Sequence, residues 1–330
     1  MLHGGDSLGY DGKVWILDDE GLAHDKEFEI YEKNNIEYRL TTRASFKKDL
    51  QAFGRKTDAI VAQVGFQVSA PFIRKLNNCK VICTFGMGFN HVDLNAAKER
   101  NIYVCNVPDY CAEEVSDHTL ALSLTLLRRL FAYNKKVKSG VWDPTDTEPI
   151  HRLSETVVGL LGFGQIARLV AHKFNAFGVK LIAYDKFVDE NVFKQYEVTS
   201  VSLDELLEQS HLLSLHVPLT EETRHLLDEE KLRKLPKGAI IINTCRGGVV
   251  DENALAKLLK AKHLSGGGID VLEEEPPQDN ELVQLEETII TPHAAYYSME
   301  AEEQMQIETA MNVVRSIRNE KPKNIVNGLN

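Results

Sequence analysis

Short apolar runs rich in β-branched residues recur along this chain, separated by segments whose apolar residues fall at helical spacing. In the first half the runs are KVWILD (13–18), EYRLT (37–41), DAIVAQV (58–64), KVICTF (80–85) and IYVCNV (102–107). Between them lie DKEFEIYEKNN, SFKKDLQAF, APFIRKL and DLNAAKERN. This alternation predicts βαβ units and mostly parallel sheet. The second half repeats it with TVVGLLG (156–162), VKLIAYD (179–185), HLLSLHV (211–217), GAIIINT (238–244), SGGGIDVL (265–272) and TIITPH (288–293). Ser202 and Glu205 form a predicted capping box, and Asp251 a predicted N-cap for ENALAKLLKAKH. One long apolar helix over 113–133 is expected to join the halves, and another over 299–319 to end the chain.

The stretch TVVGLLGFGQIARLVAHKF (156–174) carries the first chemistry. A lone GxGxxG is weak, but here a strand precedes the glycines, a helix follows, Gly178 closes it, and a second strand ends at Asp185. That is the order of a dinucleotide-binding unit. Gly162 permits the tight turn, and Gly164 lets backbone approach a pyrophosphate. The N–H groups at the helix start, around Gln165 and Ile166, point at the anion. Ala167 stands where a third glycine is common, and that position needs only a small side chain. Asp185 would accept hydrogen bonds from ribose hydroxyls and repel a 2′-phosphate, favouring NAD over NADP, with Lys186 beside it as a counter-signal.

With 330 residues, two domains are favoured over one. Net charge of −11 argues against a nucleic-acid surface. The five cysteines (Cys79, Cys83, Cys105, Cys111 and Cys245) include no CxxC and read as free thiols in a reducing, cytoplasmic compartment. MLHGGDSLGYDG has neither the basic start nor the apolar stretch of a signal peptide, and reads as a flexible lead-in. No apolar run approaches membrane-spanning length.

Four blocks in order make the chain resemble the D-isomer-specific 2-hydroxyacid dehydrogenases: VVGLLGFGQIAR, LSLHVPLTEETRHLLDEEKLRKLPKGAIIINTCRGGVVDENAL (213–255), GGGIDVLEEEPP and TPHAAYYS. Tyr296 after PHAA makes the branch similar to the C-terminal-binding-protein-like dehydrogenases. The resemblance implies an α/β protein of two doubly wound domains, a Rossmann NAD-binding domain (112–296) inserted into a flavodoxin-like substrate domain (1–111 and 297–330). It implies a cleft between them and a homodimer; no metal is expected, and charge and hydropathy argue against a nucleic-acid or membrane partner. The mid-chain position of the glycine turn then follows from the insertion.

The family's chemistry maps onto Arg246, Glu275 and His293. Reducing a 2-oxo acid takes a hydride to C2 and a proton to the oxygen. His293 can supply that proton and accept it in reverse. Glu275 would hold the ring and favour imidazolium; only the family pattern selects it over Glu273 and Glu274. Arg246 offers a rigid fork to the substrate carboxylate. Cofactor contacts carried over are Val217 and Pro218 beside adenine and ribose, Thr223 in the turn that follows, Thr244 and Cys245 near the nicotinamide ribose, and Asp270 on the nicotinamide amide. On the substrate side, Gly86, Met87 and Gly88 can present backbone N–H groups to a carboxylate, and Tyr296 can line the pocket. Thr84, Asn90 and His91 depart from the family pattern and bear on substrate class. The expected activity is interconversion of a 2-oxo acid and a D-2-hydroxy acid with NAD. The alternatives are 3-phosphoglycerate dehydrogenase, which Thr84 disfavours, and a NAD-sensing corepressor-like binding protein.

Overall fold

The computed structural model describes residues 10–19 and 21–329, so the lead-in read over 1–12 lies largely outside the described residues. The chain divides into two compact units. One takes the described residues through Cys111 together with the chain from Ser298, and the other runs from Ala112 to Tyr297.

The first unit carries β1 (Gly12–Leu17), β2 (Ile36–Thr41), β3 (Ala59–Ala62), β4 (Val81–Thr84) and β5 (Tyr103–Cys105). They form one parallel sheet in the order β2-β1-β3-β4-β5. Parallel strands are covered on both faces, so they read as continuous apolar runs rather than alternating ones. Val14, Trp15, Ile16 and Leu17 are accordingly all buried, and the Trp15 indole N–H donates to Thr41 Oγ1 at 2.7 Å. The C-terminal segment belongs to this unit because it pairs with it. The N–H of Lys26 donates to Gln306 on the helix Met299–Ile317, and Cys105 bridges Ile325.

The second unit carries β6 (Val157–Leu161), β7 (Lys180–Tyr184), β8 (Thr199–Ser200), β9 (Leu212–Leu215), β10 (Ala239–Asn243), β11 (Leu264–Ile269) and β12 (Thr288–Ile290). Its sheet, also parallel, runs β12-β11-β10-β9-β6-β7-β8. The chain therefore reverses direction across the sheet between β6 and β9, the switch point where open α/β sheets bind ligands. β8 escapes the apolar pattern because both its residues are exposed. The Ser202–Glu205 capping box and the Asp251 N-cap form as predicted.

The expected single helix over 113–133 is two helices. Ala112–Leu127 buries Val115, Thr119, Leu122 and Leu126 along one stripe. The stripe ends there, and the helix closes with Arg128 and Arg129 donating to Leu124 and Leu126 carbonyls. Arg129 takes a left-handed backbone (φ 54°) and its guanidinium reaches Ser265 O at 2.9 Å. The second helix, Leu130–Lys138, buries none of its residues, so no core contact keeps it collinear with the first. Two predicted strands also stop early: β11 ends at Ile269 and β12 at Ile290, leaving Asp270 and His293 on turns.

All five cysteines are free thiols. Among the described residues no helix is long and apolar enough to cross a membrane.

Candidate active site

β6 delivers the chain into the glycine turn. Gly162 has φ 90°, and a Cβ there would lie 2.5 Å from the carbonyl oxygen of His216, so both conformation and space require glycine. Gly164 begins the helix Gln165–Asn175 without a side-chain cap, and a Cβ built on it meets no atom within 4 Å. Open space beside uncapped N–H groups is what a pyrophosphate needs. Ala167 is fully buried in the helix–sheet core, so the missing third glycine costs nothing here. Asp185, just past β7, accepts the Phe163 N–H on Oδ2 and the Phe187 N–H on Oδ1, both at 2.8 Å. It therefore ties the glycine turn to the second strand, and each oxygen keeps a lone pair for a ribose hydroxyl. Lys186 is ion-paired with Glu222. That bond holds the lysine charged to higher pH and the glutamate to lower pH than usual. Val217 packs against Gly162, and Thr223 Oγ1 donates to Pro218 O at 2.6 Å, closing the turn after β9. These residues fit a dinucleotide.

β10 leads into Thr244, Cys245 and Arg246. Asn243, which the motif reading passed over, organises this turn: its Oδ1 accepts the Cys245 N–H at 3.1 Å and its Nδ2 donates to Arg246 O at 2.9 Å. Thr244 Oγ1 lies 2.9 Å from Thr119 Oγ1 on the first helix. Burial pushes the Cys245 thiol up to about 11, so it remains protonated.

Gly247 brings the Arg246 turn against the loop bearing the acidic residues. A Cβ at Gly247 would lie 2.1 Å from Leu272 C and 2.4 Å from Glu273 N, both backbone atoms. Gly247→Ala should therefore lower stability by about 1–3 kcal/mol, read as a lower urea midpoint, and cut turnover. Gly248→Ala, whose nearest neighbours are side-chain ends at 3.4 Å, should do neither. Equal midpoints for the two variants would refute the close-approach argument.

The structure separates the three successive glutamates. Glu273 pairs with His225 at 2.9 Å, whereas Glu275 Oε2 meets His293 Nδ1 at 2.7 Å. Glu275 Oε1 accepts the Leu272 N–H at 2.9 Å. Partial burial pushes the Glu275 carboxyl up. The hydrogen bond and charge of His293, the Leu272 N–H and the Arg246 charge outweigh it, leaving the group below the usual glutamate range. The sign follows from linkage. A depressed carboxylate stabilises the fold above its unfolded value of 4.5, and that stabilisation is lost as pH falls through the folded value. The unfolding free-energy difference between the native chain and Glu275→Gln should thus be full at pH 7 and vanish in acid. Urea titrations at pH 7 and 3 would show it, and a pH-independent difference would contradict it.

His293 has φ 52°, in the left-handed region that non-glycine residues uncommonly adopt. Its N–H donates to Asp270 O at 2.8 Å. The buried Asp270 carboxylate, expected on the nicotinamide amide, is bonded to this turn: Oδ1 accepts from Ala294 N (2.8 Å) and Thr291 Oγ1 (2.5 Å), and Oδ2 from Ala295 N (3.0 Å). The Tyr296 ring stands edge-on to His293, centroids 6.5 Å apart.

In the other unit, Gly86 N–H donates to Thr84 O at 3.1 Å, so one of the three expected anion donors is already engaged. Asn106 Nδ2 fixes the Met87 carbonyl. Thr84 is fully buried with its hydroxyl on Gly86 O, and His91 is buried against Ala62 O; Asn90 is exposed.

Residues 120–295 match the family model for the D-isomer specific 2-hydroxyacid dehydrogenase, NAD binding domain. The chain is 36% identical over 275 residues to a glyoxylate reductase of Korarchaeum cryptofilum, covering 82% of each chain. It is 34% identical over 296 residues to a hydroxypyruvate reductase of Thermotoga maritima, covering 89% of this chain and 95% of that one. Among solved structures, a D-lactate dehydrogenase of Aquifex aeolicus complexed with NAD and lactic acid superposes with a TM-score of 0.86. It has 31% identity, and the match covers 96% of this chain and all of that one. The chain belongs to the D-isomer-specific 2-hydroxyacid dehydrogenases and is an NAD-dependent enzyme of that family.

Proposed function

We propose that the enzyme reduces a small 2-oxo acid such as glyoxylate or hydroxypyruvate, with His293, Glu275 and Arg246 as its catalytic group. The observation that carries this reading is the 2.7 Å bond from His293 Nδ1 to a carboxylate that also feels the Arg246 charge. Glu275 accepts the Nδ1 proton and leaves Nε2 to face the substrate. Arg246 anchors the substrate carboxylate through its fork. The hydride for C2 comes from the reduced nicotinamide when the cofactor is bound. His293 Nε2 gives its proton to the oxygen as the C2–H bond forms, producing the hydroxyl. Met87 and Gly88 N–H groups, in the unit read as the substrate domain, are proposed as donors to a substrate carboxylate. Gly162, Gly164, Gln165, Ile166 and Asp185 hold the cofactor, Val217, Pro218 and Thr223 flank its adenosine, and Thr244, Cys245 and Asp270 flank its nicotinamide end. Asp185 selects NAD over NADP, because a 2′-phosphate would meet a carboxylate while Lys186 is engaged by Glu222. Buried Thr84 offers no cation to a phosphate group, which disfavours a phosphoglycerate substrate. The free thiols suit a cytoplasmic setting.

NADH oxidation across glyoxylate, hydroxypyruvate, pyruvate and branched or aromatic 2-oxo acids tests the reading. Turnover highest with the two-carbon and three-carbon acids supports it, and NADH binding without turnover on any of them overturns it.

The enzyme is also proposed to be a homodimer. Leu130, Phe131, Val137 and Trp142 are 54%, 53%, 47% and 87% exposed on one helix and the turn after it, an apolar surface that suits a second copy. Phe131→Asp with Trp142→Ser should halve the mass seen by analytical ultracentrifugation. An unchanged mass would refute this interface.

A further inference from the structure

We propose that His118 and Thr291 are positioning residues that hold the His293 turn through the buried carboxylate of Asp270. The inference rests on His293 being the acid–base group. A left-handed backbone at a non-glycine residue costs on the order of 1–3 kcal/mol and persists only where its surroundings over-determine it. Here the determinant is Asp270. Asp270 is 2% exposed, and its carboxylate takes donors from Thr291, Ala294 and Ala295, all within a five-residue turn.

Thr291 has one hydroxyl proton, and the 2.5 Å contact to Asp270 Oδ1 uses it. His118 Nε2 lies 3.0 Å from the same Thr291 oxygen. That oxygen can only accept, so His118 carries its proton on Nε2 and donates. The same Nε2 is 3.8 Å from Asp270 Oδ1, adding an attraction of the same sign whenever the ring is charged. His118 stands on Ala112–Leu127, whose buried stripe meets the sheet at Gly268 through Leu122 and Leu126. The relay therefore runs from a packed helix through His118, Thr291 and Asp270 to the amides of Ala294 and Ala295, which follow His293. Neither His118 nor Thr291 needs to touch the substrate. Their effect is on where the His293 ring points, and so on kcat rather than on binding.

The test uses the full chain carrying His118→Leu, His118→Gln, Thr291→Val or Thr291→Ser, with His293→Gln as reference. Gln places an amide N–H where Nε2–H was, and Ser keeps the hydroxyl. Steady-state kinetics with glyoxylate and NADH, NADH fluorescence titration, and hydrogen exchange of the peptide covering residues 291–297 without ligands are measured for each. His118→Leu and Thr291→Val should each lower kcat about tenfold, the loss of one net hydrogen bond. KM and the NADH Kd should stay within about twofold. Exchange in 291–297 should rise about tenfold while the rest of the unit is unchanged. Gln and Ser should restore both readouts. Unchanged exchange in the Leu and Val variants overturns the proposal, as does a loss that Gln and Ser do not recover, or faster exchange throughout the unit. A fully active His293→Gln would instead overturn the site reading beneath it, with the exchange result still deciding whether the relay holds the turn.

Discussion

His293→Gln should lower kcat by between about a hundredfold and ten-thousandfold, the usual range for removing a general acid, while the NADH Kd stays within about twofold. Glutamine keeps much of the size of the ring and can hydrogen-bond Glu275, but it has no proton to deliver at working pH. As hydride reaches C2, the carbonyl oxygen would then build alkoxide character with no proton donor to discharge it. If His293 acts in the transition state as proposed, KM for the oxo acid should move little, and kcat and kcat/KM should fall together. Stopped-flow and steady-state measurements with glyoxylate separate these terms. Retained kcat would remove His293 from the mechanism, whatever its bond to Glu275.

Arg246→Ala should instead damage binding and turnover together. Two charge-assisted hydrogen bonds to a substrate carboxylate, each worth about 1.5–3 kcal/mol, correspond to a fall of roughly a hundredfold to ten-thousandfold in kcat/KM, much of it in KM. Arg246→Lys should recover only part, because an ammonium cannot reproduce the planar fork. Removing the guanidinium also removes one of the influences that lower Glu275. The pH at which Glu275 loses its charge should accordingly rise in Arg246→Ala, visible as a shift of the acid limb of kcat/KM. A variant with native KM and an unmoved acid limb would refute both the anchor and its coupling to Glu275.

The three residues were legible in different degrees. His293 stood out as the lone histidine of TPHAAYYS, and Arg246 by its place before the double glycine past the end of β10. Glu275 did not, since three glutamates follow one another and composition treats them alike. The fold separates them by giving Glu273 to His225 and Glu275 to His293. Asp270 shows the converse. Its position after GGGI drew attention to it, but its bonds to Ala294 and Ala295 depend on a turn 24 and 25 residues away that no local pattern announces. His118 and Thr291, 173 residues apart, meet only once the first helix packs on the sheet. A signal for Gly247 was present in the double glycine after Arg246, but the backbone it approaches at 2.1 Å belongs to another segment.

By itself the sequence determined the βαβ rhythm, both parallel sheets, the glycine turn with its strand, helix and Asp185, and the caps at Ser202 and Asp251. Each of these depends on contacts a few residues apart or on burial periodicity, which local composition encodes. Tertiary structure alone decided that the long helix breaks at Arg129, that His293 sits in a left-handed turn off the end of β12, and which glutamate meets the imidazole. These depend on side chains and amides brought together across tens to hundreds of residues. Their hydrogen-bond partners exist only after the sheet has placed the strand ends side by side.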